Sequence, residues 1–265
     1  MHFILSLLTV PFFLIIQQPG YELVMSVKVP GEQHYSDPFG NIYIVNAGEI
    51  RRFDNEYREA AYYSNSFLGK ISSVDLSDPL RILLYFKDYN QILWLDKYLT
   101  EIRSPLLLDQ LGYQQVDALC SSSQGGFWLY SDITCQIHYF DNTMKLVHES
   151  INLRPLIGSA TRPVAMLEKN RHVYLNAPAK GILVFDRFGN YRRTLPVTGC
   201  TRFQVTDTEI FFFKNDSLFR YNIEKDLSNP VQLPGMIRPV HAEIQPGYLY
   251  LFTRDAFYVY KNDGK

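Results

Sequence analysis

The sequence predicts an all-β chain, a six-bladed β-propeller of four-stranded antiparallel blades. Three observations carry this. First, six apolar strands end in an aromatic or Leu followed by Asp or a substitute: Phe53-Asp54, Leu95-Asp96, Phe140-Asp141, Phe185-Asp186, Tyr221-Asn222 and Tyr260-Lys261, with steps of 36 to 45 residues between their polar members. A period near 40 with several short strands per unit marks propeller blades. Second, local segments repeat: Ser36-Asp37-Pro38 and Ser77-Asp78-Pro79 both precede an apolar strand, and Arg162-Pro163-Val164 and Arg238-Pro239-Val240 both open a unit. Third, the 265 residues are 46% apolar and 15% aromatic, with 19 Tyr and 18 Phe. That is enough for a large core, in residue types that suit pleated, half-buried surfaces.

The elements follow in order. Residues 1–18 are an apolar run too short for a confident membrane span, so they read as a signal peptide, and residues 19–265 as one propeller domain. No Lys or Arg precedes the run and no A-x-A site follows it, which is atypical. Residues 21–29 form a free strand ahead of the first blade. Second strands are expected at 42–45, 82–86, 127–130, 172–175, 210–213 and 248–252. Third strands are expected at 49–53, 92–95, 136–140, 181–185, 218–221 and 257–260. Outer strands are expected at 59–63, 102–108, 145–149, 191–195 and 231–233, one fewer than the blades. The sixth unit stops just after its third strand, so strand 21–29 is expected to complete the last blade and close the ring. Residues 57–63 suit a strand better than a helical turn. Residues 106–112 read as an extended loop, or as a strand running into a turn at Gly112. Residues 154–162, with Pro155 and Gly158, read as a long connection, and no helix competes with the strands. The Asp of each anchor is expected to open a hairpin turn.

Formal net charge is −1, which removes the electrostatic basis for general nucleic-acid binding and argues against attraction to anionic lipid. Cys120, Cys135 and Cys200 are too few and wrongly spaced for a disulfide framework or zinc ribbon, and are expected as free buried thiols. There is no G-x-S-x-G elbow, P-loop or dinucleotide fingerprint.

Aligning the inner strands places one residue per blade toward the axis: His34, Asp75, Asp117, Ala165, Gln204 and His241. Two His and two Asp in one ring are metal-ligand types. The alternative is a hydrated polar channel, and a one-residue slip would reverse every side chain. At the rims, Arg51, Arg52, Arg192 and Arg193 form basic pairs, and Tyr89 and Trp94 are aromatic anchor candidates for a partner. The bland reading is solvated strand faces, and aromatics packed between blades.

The run Asp37-Pro38-Phe39-Gly40-Asn41-Ile42-Tyr43-Ile44-Val45, followed by Glu49-Ile50-Arg51-Arg52-Phe53-Asp54, resembles six-bladed propellers of the NHL and related type. Together with residues 71–83, Ile92-Leu93-Trp94-Leu95-Asp96 and Phe127-Trp128-Leu129-Tyr130, the chain is similar to a family of small exported propeller proteins of Bacteroidota-type envelopes. The resemblance implies a periplasmic or outer-membrane location, and a possible accessory role in a secretion machinery, including type IX secretion. It carries over no catalytic residue. Propeller lactonases use acidic and amide metal ligands on the axis, and Ala165 departs from that pattern. The sequence therefore supports a non-enzymatic scaffold that binds a protein partner, with no cofactor, no nucleic acid and no membrane span in the mature chain. The alternatives are a hydrolase or lactonase with an axial metal, and a glycan-binding module using exposed Tyr and Trp.

Overall fold

The computed structural model describes residues 20–158, 161–235 and 237–262; the expected signal segment lies outside them. Strand β1 (Tyr21–Lys28) precedes blade one, which is β2 (Gln33–Ser36), β3 (Ile42–Asn46), β4 (Glu49–Phe53) and β5 (Glu59–Ser64). Blade two is β6 (Ser73–Asp75), β7 (Ile82–Phe86), β8 (Gln91–Leu95) and β9 (Leu106–Leu107). Blade three is β10 (Val116–Ser121), β11 (Phe127–Ser131), β12 (Gln136–Phe140) and β13 (Leu146–Glu149). Blade four is β14 (Ala165–Lys169), β15 (His172–Ala177), β16 (Gly181–Asp186) and β17 (Tyr191–Leu195). Blade five is β18 (Phe203–Val205), β19 (Glu209–Lys214), β20 (Ser217–Asn222) and β21 (Leu227–Pro230). Blade six is β22 (His241–Gln245), β23 (Tyr248–Phe252) and β24 (Ala256–Asn262), and β1 pairs antiparallel with β24 as its fourth strand. The ring of six four-stranded antiparallel sheets is the predicted propeller, closed as the sequence requires.

The core is six seams between adjacent blades. Strand period two explains them, because alternate residues of each middle strand face opposite neighbours. In β3, Tyr43 and Val45 pack toward blade two, while Ile42 and Ile44 pack toward blade six. In β7, Ile82 and Leu84 face blade one, while Leu83 and Tyr85 face blade three. Middle strands are thus buried on both faces, which is why β7, β8 and β11 are continuous apolar runs. Outer strands β13 and β21 are largely exposed.

The anchor Asp residues are turn chemistry. Asp54 Oδ1 accepts the backbone N–H groups of Glu56 and Arg58 at 2.9 and 3.0 Å. Asp96 does the same for Tyr98 and Thr100, Asp141 for Thr143 and Lys145, and Asp186 for Phe188 and Asn190. The residue three beyond each Asp is left-handed: Tyr57 (φ 62°), Leu99 (59°), Met144 (67°) and Gly189 (82°). Only Gly189 adopts this without steric cost.

Some boundaries differ from expectation. The fifth outer strand is β21, four residues upstream of the apolar 231–233, because an exposed strand needs no apolar pattern. The second outer strand shrinks to β9, with an isolated bridge between Leu95 and Glu101. Pro105, which lacks an N–H, interrupts it. Residues 108–111 form a 3-10 turn ended by left-handed Gly112, and Arg154–Ile157 form one α-helical turn where none was expected.

The topology gives the disc two faces. Hairpins joining inner to second and third to outer strands lie on one, here the turn face. Hairpins joining second to third strands lie on the other with the blade-to-blade links, here the connector face. Deleting residues 1–28 removes the ladder to β24 and uncovers its edge. The expected outcome is a drop in melting temperature of about 10 °C in calorimetry, from a loss of several kcal/mol in a chain this size.

Candidate functional site

The inner strands surround an axial cavity of about 1370 Å³. Of the axial candidates, Asp75, Asp117, Gln204, His241 and Ala165 line it. His34 is the correction: it is 2% exposed and its imidazole stacks on Phe252 of blade six, with ring centroids 5.1 Å apart. The hydrophobic surface of a neighbouring blade, rather than the axis, takes this side chain.

The polar groups on the cavity wall engage backbone and one another across blade seams. Asp75 Oδ2 accepts the N–H of Ser121 in blade three at 2.8 Å. Gln204 Oε1 accepts the N–H of Ile244 in blade six at 2.9 Å. Asp117 pairs with Lys87 Nζ of blade two at 2.7 Å. Glu168 Oε1 accepts the Ser123 N–H at 3.0 Å and its hydroxyl, while Oε2 accepts Trp128 Nε1–H at 2.9 Å. Burial pushes the Asp75 carboxyl up, against the lowering effect of hydrogen bonds from Ser77 and Ser121. Among the described residues, no three His, Cys, Asp or Glu side chains meet in a group able to hold a metal ion.

The densest constellation centres on Glu243, which is 4% exposed. Its Oε2 accepts the N–H and hydroxyl of Ser36 in blade one at 2.5 and 2.7 Å. Its Oε1 meets His241 Nε2 at 3.0 Å and Arg202 Nη2 at 3.2 Å. The Arg202 guanidinium, from the link ahead of blade five, also donates to the His34 carbonyl at 2.8 Å. It lies 3.9 Å from the Tyr35 ring centroid. One side chain therefore ties blades five, six and one. Burial works to raise the Glu243 carboxyl, yet the His241 hydrogen bond, the Arg202 charge and Ser36 hold it below its ordinary value. Burial, with the nearby Arg202 and His241, pushes His34 down to about 4. Burial and Arg202 also lower His241 despite the Glu243 carboxylate. A carboxylate only accepts, so His241 Nε2 carries a proton and donates it to Glu243.

Of these residues the sequence exposed only His241 and His34. Glu243 was findable, since period two puts it on the same face as His241. Arg202 lies outside any strand and left no signal.

The rim candidates do not form one surface. Arg51–Arg52 and Arg192–Arg193 lie on blades one and four, opposite each other in the ring. Arg51 lies 3.8 Å from Glu59, Arg192 lies 2.6 Å from Asp186, and Arg193 donates to the Ile223 carbonyl at 3.1 Å. Arg52 is half-buried, and its Nε is buried without a partner. Tyr89 is 59% exposed on the connector face. Trp94 is buried at 1%, packed edge-on against Phe127 in the seam between blades two and three, so it is no exposed anchor. Cys120, Cys135 and Cys200 are free and buried, as expected.

No protein-family profile matches the chain, and no curated protein matches it. Solved structures do. The Pan2 WD40 domain of Neurospora crassa is similar with a TM-score of 0.65 and 9% identity, over 93% of this chain and 96% of that one. Virginiamycin B lyase from Staphylococcus aureus gives 0.62 and 10%, over 91% and 99%. BamB from Moraxella catarrhalis gives 0.55 and 8%, over 92% and 98%. At such identities the likeness shows the propeller fold. No helix among the described residues is long and apolar enough to cross a membrane.

Two outcomes follow from the Glu243 cluster. Glu243→Ala leaves Arg202 without its carboxylate and the Ser36 N–H without an acceptor, so denaturant unfolding should show a loss of about 3 kcal/mol. The folded-state value of His34 lies below its unfolded value near 6.5, so the unfolded chain binds the extra proton first. Stability should be full above pH 6.5 and fall as pH drops toward 4, by about 3 kcal/mol for this group. His34→Phe should flatten that slope in urea titrations at stepped pH.

Proposed function

We propose that the chain is a non-enzymatic propeller scaffold that binds a protein partner through the connector face of blades one to three. One observation carries this reading. Apolar side chains exposed there include Phe67, Tyr89, Ile133, Ile151 and Leu156, with Phe67 90% exposed. The Tyr89 ring lies against Gly69, two residues along the chain from Phe67. Ile133 and Ile151 are likewise brought together, as Leu153 N–H bonds to the Cys135 carbonyl and Asn152 to the Thr134 carbonyl. Such apolar exposure, aromatic at one end, suits a protein interface. The inner-strand carboxylates support the same reading, because they are engaged in holding blades together.

The apolar run at residues 1–18 supports export, and together with the family resemblance it supports a periplasmic or outer-membrane location and an accessory role in a secretion machinery. The BamB likeness is compatible with an envelope setting. A second reading, an axial-metal hydrolase or lactonase, is favoured by the size of the cavity and by Asp75, Asp117 and His241 on its wall. Its test is elemental analysis of the purified protein with and without chelation.

The scaffold reading is tested by affinity capture from detergent-solubilised envelope. Wild type should recover a stoichiometric protein, and the Phe67→Glu/Tyr89→Glu double variant should lose it at least tenfold while melting as wild type does. Recovery of no stoichiometric partner, or equal recovery by both proteins, sinks the reading.

A further inference from the structure

On the opposite, turn face, the seam between blades two and three holds two guanidinium groups that the fold itself does not neutralise. Arg81 comes from the hairpin between β6 and β7, and Arg103 from the segment between β8 and β9. Both converge on one buried indole: the Arg103 Cζ lies 4.2 Å and the Arg81 Cζ 5.4 Å from the Trp94 ring centroid. Among the described residues neither makes an ion pair, and the one side-chain hydrogen bond of the pair runs from Arg103 Nη2 to the Met144 sulfur at 3.2 Å. A thioether is a weak acceptor for a charged donor. Six other arginines, Arg51, Arg58, Arg162, Arg192, Arg202 and Arg220, each face a carboxylate.

Burial, and the like charge of Arg81, push the Arg103 guanidinium down from its ordinary value. A third donor in the same seam is also unused: Trp94 Nε1–H is buried and has no partner. Two fork-shaped cations in one seam match an anion with planar oxygens. The surroundings say how that anion arrives. Leu80 and Tyr98 are each 61% exposed and Ile102 49%, on the hairpins and strand that carry the two arginines. A small free anion would gain nothing from that apolar border. A peptide with an acidic residue between apolar ones would gain from both.

We propose that this seam is a docking site for an acidic, apolar-flanked peptide segment of a protein partner, whose Asp or Glu carboxylate sits between Arg81 and Arg103 while its neighbours cover Leu80, Tyr98 and Ile102. The site lies on the face opposite the Phe67–Tyr89 surface and is independent of it.

The chain has two Trp, so indole N–H signals in a ¹⁵N spectrum report on the site with little overlap. The probe is the capped peptide Ac-Ala-Leu-Glu-Leu-Phe-Ala-NH2, titrated beside its Glu→Gln counterpart and beside inorganic phosphate. The acidic peptide should shift one of the two indole signals saturably, and the Gln peptide should bind at least tenfold more weakly. Arg81→Gln should reduce binding of the acidic peptide at least tenfold while it still unfolds cooperatively on heating. The Phe67→Glu/Tyr89→Glu variant should bind the peptide as wild type does. Three results would each overturn the proposal: equal binding of the Glu and Gln peptides or of neither, phosphate binding as tightly as the peptide, or a folded Arg81→Gln protein that binds the acidic peptide unchanged.

Discussion

Everything in this molecule depends on closing the ring, and closure rests on one strand pairing. β1 and β24 come from opposite ends of the chain, and their ladder completes blade six. Each blade offers two apolar faces, so no blade is satisfied until it has a neighbour on both sides. An open ring would leave two apolar faces and a free strand edge in water. Closure converts six separately unstable sheets into six sealed seams. It also brings blade one to the rest of blade six by a long-range pairing, since only β1 is joined to blade one by a short link, residues 29–32.

That approach is where the polar reinforcement is densest. Glu243 of blade six takes the Ser36 N–H of blade one, and Arg202 of blade five reaches past it to the His34 carbonyl. Similar links recur elsewhere: Asp75 to Ser121, Gln204 to Ile244 and Glu168 to Ser123. Their chemistry is the same each time, a side-chain oxygen meeting a backbone N–H of the adjacent blade's inner strand or of the turn that follows it. A buried amide without an acceptor is costly, and inner strands have no further strand to pair with on the axial side. The wall of the cavity is therefore polar for structural reasons, and its carboxylates are largely occupied. The faces carry unmatched chemistry of their own: apolar side chains on the connector face, and two guanidiniums beside Trp94 on the turn face that make no ion pair among the described residues.

The sequence made the blade count, the closure by residues 21–29 and nearly all middle strands legible. These depend on period and on apolar runs, which burial on both faces writes directly into residue choice. The same reasoning located the anchor Asp residues in turns, where each accepts two backbone N–H groups. Outer strands were less legible. β21 is polar and Pro-ended, and β9 is cut short at Pro105, because strands with little burial leave composition unconstrained. The Arg154–Ile157 turn fell in a stretch with no period at all.

The candidate sites divide along the same line. Residue types on the inner strands were readable, but their directions and partners were not. His34 turned out to lie against Phe252, since side-chain direction on a four-residue strand is set by twist and by the adjoining blade. Trp94 read as an anchor by type and is instead sealed in a seam, with Arg81 and Arg103 brought to it from positions 13 and 9 residues away. By itself, then, the sequence determined the architecture and its closing strand, because repetition and hydrophobic pattern are local properties summed over the chain. Only the tertiary structure decided which polar groups meet, that Glu243 joins three blades and that two cations share one indole, because those contacts cross between blades and depend on how each blade is turned against the next.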